Sequence, residues 1–118
     1  TSFLSASPTN SRISIADKKR LEMARALATK PKLLMLDEVM AGLNPAEVSE
    51  AVDLILKIRE QGITVFLVEH VMAAIMPISN RIIVLDSGEK IAEGLPEEIA
   101  SNERVIKAYL GERYRAGG

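Results

Sequence analysis

The polar and apolar positions along the chain alternate between two periods. From Asp17 to Thr29, Leu21, Ala24, Leu27 and Ala28 recur at helical spacing while Lys18, Glu22 and Arg25 fall elsewhere on the wheel, which predicts an amphipathic helix. Ser14, followed by Asp17, has the form of a capping box and places the helix start at Ser14, and Pro31 ends it. Leu33 to Leu36 is a continuous apolar run closed by Asp37 and Glu38, the pattern of a strand buried on both faces of a parallel sheet. Asn44 as N-cap and Pro45 at the first helical position open a helix to about Gln61, where Gly62 stops it. On that helix Val48, Ala51, Val52, Ile55 and Ile58 share one face, and Glu50, Asp53, Lys57 and Glu60 the other.

The second half repeats the alternation in shorter pieces. Ile63 to Val68 is β-branched and aromatic and predicts a second buried strand running into Glu69 and His70. Val71 to Ser79 predicts a short helix bent or ended near Pro77, and Arg81 to Leu85 a third strand. Asp86-Ser87-Gly88-Glu89 is a turn sequence, so Lys90 to Glu93 returns as an antiparallel strand. Two small helices follow, one opened by Pro96-Glu97-Glu98 and one from about Asn102 to Glu112. Strands alternating with amphipathic helices indicate an α/β fold with a mostly parallel sheet, flanking helices and a C-terminal hairpin. Residues 1–12, rich in Ser, Thr, Asn and Pro without a period, read as a lead-in segment.

Composition narrows what such a fold can do. The 118 residues amount to one compact domain at most, and 47% apolar residues suffice for a core. Lys and Arg number 15 against 16 Asp and Glu, so there is no broad basic surface for nucleic acid. The absence of Cys excludes disulfides, Cys-ligated zinc and thiol catalysis, and it fits a reducing cytosol. The longest apolar stretch, Val71 to Ile78, is far short of the about 20 residues that span a bilayer, so no direct membrane insertion is expected. The start, Thr1-Ser2-Phe3-Leu4-Ser5, has neither a secretory signal nor an initiator Met, the pattern of a processed or truncated piece.

Candidate chemistry gathers at the strand ends, where ligands of parallel sheets bind. At the end of the first strand, Asp37 can hold a hard cation such as Mg²⁺ and Glu38 can polarise a water for attack on a phosphate. The same two acids can instead satisfy backbone donors in a strand-to-helix loop. His70, the single histidine, stands at the mouth of the second strand. If the strands are parallel neighbours, it shares a sheet edge with Glu38. Ser14 and Asp17 mark a helix N-terminus that suits a phosphate, although a Ser N-cap needs no ligand. A cradle of the form G-x-x-x-x-G-K-[ST] is absent, because no glycine precedes a lysine.

Taken in order, Lys19 to Ala28, Leu33-Leu34-Met35-Leu36-Asp37-Glu38, Ala41-Gly42-Leu43-Asn44-Pro45 and Val68-Glu69-His70 resemble the ATP-binding cassette (ABC) ATPases. Gly88 to Gly94 and Pro96 to Ile99 continue the match, and Val105 to Glu112 is similar to the ATPase subunits of branched-chain amino-acid importers. The resemblance implies a partial P-loop NTPase fold. Residues 13–118 would form the C-terminal part of a nucleotide-binding domain without its Walker A half.

By the same resemblance, Asp37 matches the Walker B aspartate that holds Mg²⁺ and Glu38 the catalytic base. His70 matches the switch histidine at the γ-phosphate of ATP. Asn44 closes the loop that crosses between two cassettes, where an Asp is usual. Ile13-Ser14-Ile15-Ala16-Asp17 stands where the signature LSGGQ reaches the partner's nucleotide, so Ser14, Asp17 and Asn44 are the implied nucleotide-binding residues. Ile15 and Ala16 replace both glycines of that signature, and Val39 stands where a Pro is common.

The implied function is that of an ATP-hydrolysing transporter subunit. Its partners would be a second ABC ATPase subunit and transmembrane permease subunits, with the protein cytoplasmic and peripheral on the inner face of the membrane. The alternatives are a non-catalytic half-cassette that only dimerises or regulates, and a lobe of a DNA-repair type ABC ATPase. Residues 1–12 show no heptads of the kind that would join such a lobe to a coiled coil. In the family's fold, the strand leading into Walker A lies between the strand that ends at His70 and the one at Arg81 to Leu85. Without that strand both edges are unpaired, and the chain should self-associate.

Overall fold

The computed structural model describes residues 13–110. The lead-in at 1–12 and the end of the last helix at 111–112 lie outside the described residues. The chain divides into two compact units, Thr1–Val71 and Met72–Gly118.

In the first unit, helix α1 (Ile15–Leu27) starts where expected, with the Ser14 hydroxyl oxygen accepting from the Asp17 N–H at 3.0 Å. The reciprocal half of the box is replaced. The Asp17 carboxylate accepts from Arg20 Nη1 at 3.0 Å, and Arg20 also pairs with Glu50 of the next helix. Ala16 and Met23 are the buried residues of α1, with Leu21, Ala24 and Leu27 half-buried and Ala28 exposed. The inward face is thus centred on positions 16 and 23, toward Val39, Leu43 and Leu54, which line a cavity of about 20 Å³ with Met23. A void of that size admits at most about one water.

Strand β1 (Leu33–Asp37) and strand β2 (Thr64–Val68) pair in parallel, from Leu33 opposite Thr64 to Asp37 opposite Val68. Helix α2 (Pro45–Glu60) connects them, with Pro at its first position and a complete capping box between Asn44 and Glu47. Its expected inner face holds, with Ile55 and Ile58 buried.

One expectation fails here. Leu34 and Leu36 are buried, but Leu33 and Met35 are 52% and 67% exposed, and Phe66 and Val68 of β2 are open as well. Side chains alternate across a strand, and α2 packs on one face of this pair only. The run Leu33 to Leu36 is therefore apolar on both faces but buried on one.

In the second unit, α3 is shorter than expected (Met72–Ile75), and Ser79 returns both its N–H and its hydroxyl to the Ile75 carbonyl. Strands β3 (Ile82–Asp86) and β4 (Glu89–Gly94) form the expected antiparallel hairpin. Ser87 and Gly88, both at positive φ (51° and 79°), give the two-residue tip the geometry that matches strand twist. Met76, Ile82, Val84, Ile99 and Val105 form the core, closed by α4 (Pro96–Ala100) and α5 (Glu103–Val105). The last helix starts near the expected Asn102, which caps α5, but it continues as a π-helical segment, Ile106–Leu110, and the Tyr109 hydroxyl donates to the Leu85 carbonyl. The α/β character read from the sequence holds, with its sheet present as a parallel pair and an antiparallel pair. No described helix is long and apolar enough to cross a membrane.

Candidate functional site

The site is built at the carboxyl end of the parallel pair. Asp37 is the last residue of β1 and is solvent-exposed. Glu38 follows in the left-handed region, φ 51°, a conformation that costs a residue with a Cβ about 1–2 kcal/mol. Three bonds hold it there. Its N–H donates to the Val68 carbonyl at 2.8 Å, and its carbonyl accepts from the Ala41 N–H at 3.2 Å and from Lys19 Nζ at 3.0 Å. The next two residues, Val39 and Met40, are buried and pin the loop by their side chains. The turn therefore presents two neighbouring carboxylates outward, and neither accepts a hydrogen bond or ion pair from the described residues.

β2 brings the second part. Asp37 is in register with Val68, so Glu69 and His70 leave the sheet at the edge where Glu38 does. The Glu69 carboxylate accepts from the Met40 N–H at 2.9 Å through Oε2 and from the His70 N–H at 3.3 Å through Oε1. His70 itself is exposed.

The loop then passes under the start of α1. Gly42 has φ 78°, and a Cβ built there would lie 3.3 Å from Ile15 Cδ1, so the Ile15 side chain rests on the backbone of the turn. Asn44 closes the loop. Its Oδ1 accepts from the Glu47 N–H at 2.8 Å while Glu47 Oε1 accepts from the Asn44 N–H at 3.0 Å.

Asp37, Glu38 and His70 thus share one sheet edge. Ser14, Asp17 and Asn44 each have a structural task, as N-cap, as partner of Arg20, and as N-cap again. Lys19 and Glu69 were not singled out in the sequence, yet they hold the loop at Glu38 and at Met40. Their partners are backbone groups 19 and 29 positions away. No spacing rule encodes such contacts. The described residues include no cluster of three or more His, Asp or Glu able to cage a metal.

The chain is similar in sequence and fold to known proteins. Residues 89–115 match the family described as branched-chain amino acid ATP-binding cassette transporter. The chain is 48% identical over 101 residues to the high-affinity branched-chain amino acid transport ATP-binding protein BraF of Pseudomonas aeruginosa, a match covering 85% of this chain and 40% of that protein. It is also 48% identical over 103 residues to LivG, the corresponding protein of Escherichia coli, covering 86% of this chain and 40% of LivG. The chain therefore spans about two fifths of the length of these relatives. A crystal structure of the ADP conformation of an ATP-binding cassette of an ABC transporter superposes with a TM-score of 0.75 at 30% identity, over 86% of this chain and 41% of that one.

Proposed function

Because the chain carries, in sequence and fold, the C-terminal part of an ABC transporter ATP-binding subunit, we propose that it supplies the water- and metal-handling groups of an ATPase that drives branched-chain amino-acid import. The observation that carries this reading is Glu38. It is held at a positive φ by Val68, Ala41 and Lys19, and its carboxylate, next in sequence to that of Asp37, accepts nothing from the described residues. Backbone strain maintained by surrounding bonds is characteristic of working sites.

In the proposed reaction the Glu38 carboxylate accepts a proton from a water whose oxygen attacks the γ-phosphorus of ATP in line. The bond from that phosphorus to the β,γ-bridging oxygen breaks, leaving ADP and inorganic phosphate. Asp37 is the residue that would hold Mg²⁺, which when bound neutralises phosphate charge. His70 donates from its ring to a γ-phosphate oxygen. The start of α1 and Asn44 face the nucleotide of a second cassette. No G-x-x-x-x-G-K-[ST] run occurs in the 118 residues, so other polypeptide provides the phosphate cradle. Permease subunits hold the assembly at the inner face of the membrane and carry the amino acid.

The test is a chimera in which this chain replaces the matching residues of LivG. ATP turnover by the chimera is expected, with Glu38→Gln lowering it by about 10²-fold or more while MgATP binding persists. A folded, MgATP-binding chimera without turnover would overturn the assignment. The 118-residue chain alone is expected to show no micromolar MgATP affinity by calorimetry.

The Ile15–Gly42 contact favours a second reading, a cassette half that dimerises without hydrolysing. By the resemblance, Ile15 stands at a signature position where glycine would allow close backbone approach to a ligand, and its β-branched side chain lies instead against the Gly42 turn. The chimera decides this too, since Ile15→Gly would then restore turnover that the unsubstituted chimera lacks.

A further inference from the structure

One carboxylate joins the two halves of the site. Glu69 lies between Val68, which holds Glu38, and His70, and its two oxygens accept from separate strands of backbone. Oε2 takes the Met40 N–H at 2.9 Å, and Oε1 takes the His70 N–H at 3.3 Å. Met40 is 2% exposed, so its N–H has little access to water and would be left without an acceptor if the carboxylate moved. An ionised acceptor makes such bonds roughly twice as strong as neutral ones. Glu69 itself is half-buried and touches neither of the outward carboxylates through any described bond.

We infer that Glu69 is a positioning residue that couples the acid-bearing loop to His70. The turn carrying Glu38 cannot shift by way of Met40 without pulling on the carboxylate that also fixes the His70 backbone. The proposal rests on the ATPase reading for its purpose, but the coupling itself is a property of the folded chain and is measurable without nucleotide.

Amide deuterium exchange read by NMR on the 118-residue chain tests it. Glu69→Ala should speed exchange at Met40 by about tenfold or more, with His70 moving in the same direction and the buried core amide of Ile58 unchanged. Unchanged Met40 exchange with Ile58 still protected would overturn the inference. Should Glu69→Ala lose Ile58 protection as well, Glu69→Gln decides. Its single acceptor oxygen should protect one of the two amides and release the other, and full protection of both would again overturn the coupling. In the LivG chimera, Glu69→Gln should lower kcat by about tenfold with KM for MgATP unchanged, because the residue meets no substrate. A rise in KM at constant kcat would overturn the positioning role. The exchange result stands or falls independently of turnover, so failure of the ATPase reading is distinguishable from failure of this one.

Discussion

The backbone N–H of Glu38 donates to the carbonyl of Val68 at 2.8 Å, one rung beyond the last register pair, Asp37 opposite Val68. The parallel ladder thus continues into a residue whose φ of 51° no longer belongs to a strand. The bond turns the chain while keeping it tied to β2, and it fixes where the second carboxylate can go.

That tie predicts opposite effects for two substitutions. Glu38→Gly removes the left-handed penalty, although glycine also gains freedom in the unfolded chain, so its thermal midpoint should equal or exceed that of the parent. Glu38→Val places a β-branched side chain at positive φ and should cost about 1–2 kcal/mol, read as a lower midpoint. A Gly variant clearly less stable than the Val variant would contradict the strain.

Capping at Asn44 is separable from any nucleotide role. Asn44→Ala removes the Oδ1 that accepts from the Glu47 N–H, while the Asn44 backbone N–H can still donate to Glu47 Oε1, and should cost about 1 kcal/mol in urea unfolding. Asn44→Asp keeps an acceptor at the helix N-terminus and should be close to neutral. Equal losses in both variants would show that the box is not what stabilises α2.

In the second unit, Glu93 carries a pH dependence. Hydrogen bonds from Lys90 and then Arg81 hold its carboxyl below the ordinary carboxylate range. A depressed folded-state value means that the stabilisation is present above the ordinary range and is lost as pH falls through the depressed value. Glu93→Gln should therefore flatten the acid limb of the stability curve, and added salt should reduce the difference between the two proteins. Identical acid limbs at low salt would exclude the contribution.

The open sheet face and edges predict association. Met35 and Phe66 are in register and about half or more exposed, and each of the four strands keeps one unpaired edge among the described residues. Sedimentation should show self-association at micromolar concentration, reduced by Met35→Glu. A monomeric parent with a cooperative unfolding transition would contradict this.

The periodic elements were legible in the sequence because their signals are local. The Asn44-Pro45 start of α2, the Ser87-Gly88 turn and the start of the last helix near Asn102 all lie where the residues themselves require them. The exposure of Leu33 and Met35 was not legible, since an apolar run does not say which of its faces is covered. The π-helical continuation after Val105 was equally invisible, as nothing in Ile106 to Leu110 breaks an α-helical pattern. Asp37, Glu38 and His70 stood out as polar residues at strand ends. Lys19 and Glu69 did not, because their partners are main-chain groups that only the folded topology brings near.

The hairpin tip at Ser87 and Gly88 has a practical use. Both residues are exposed and a Cβ at Gly88 would meet nothing within 4 Å, while the whole chain lacks cysteine. Ser87→Cys would therefore introduce a single addressable thiol, so that one fluorophore or spin label can be attached at a defined point without background labelling elsewhere.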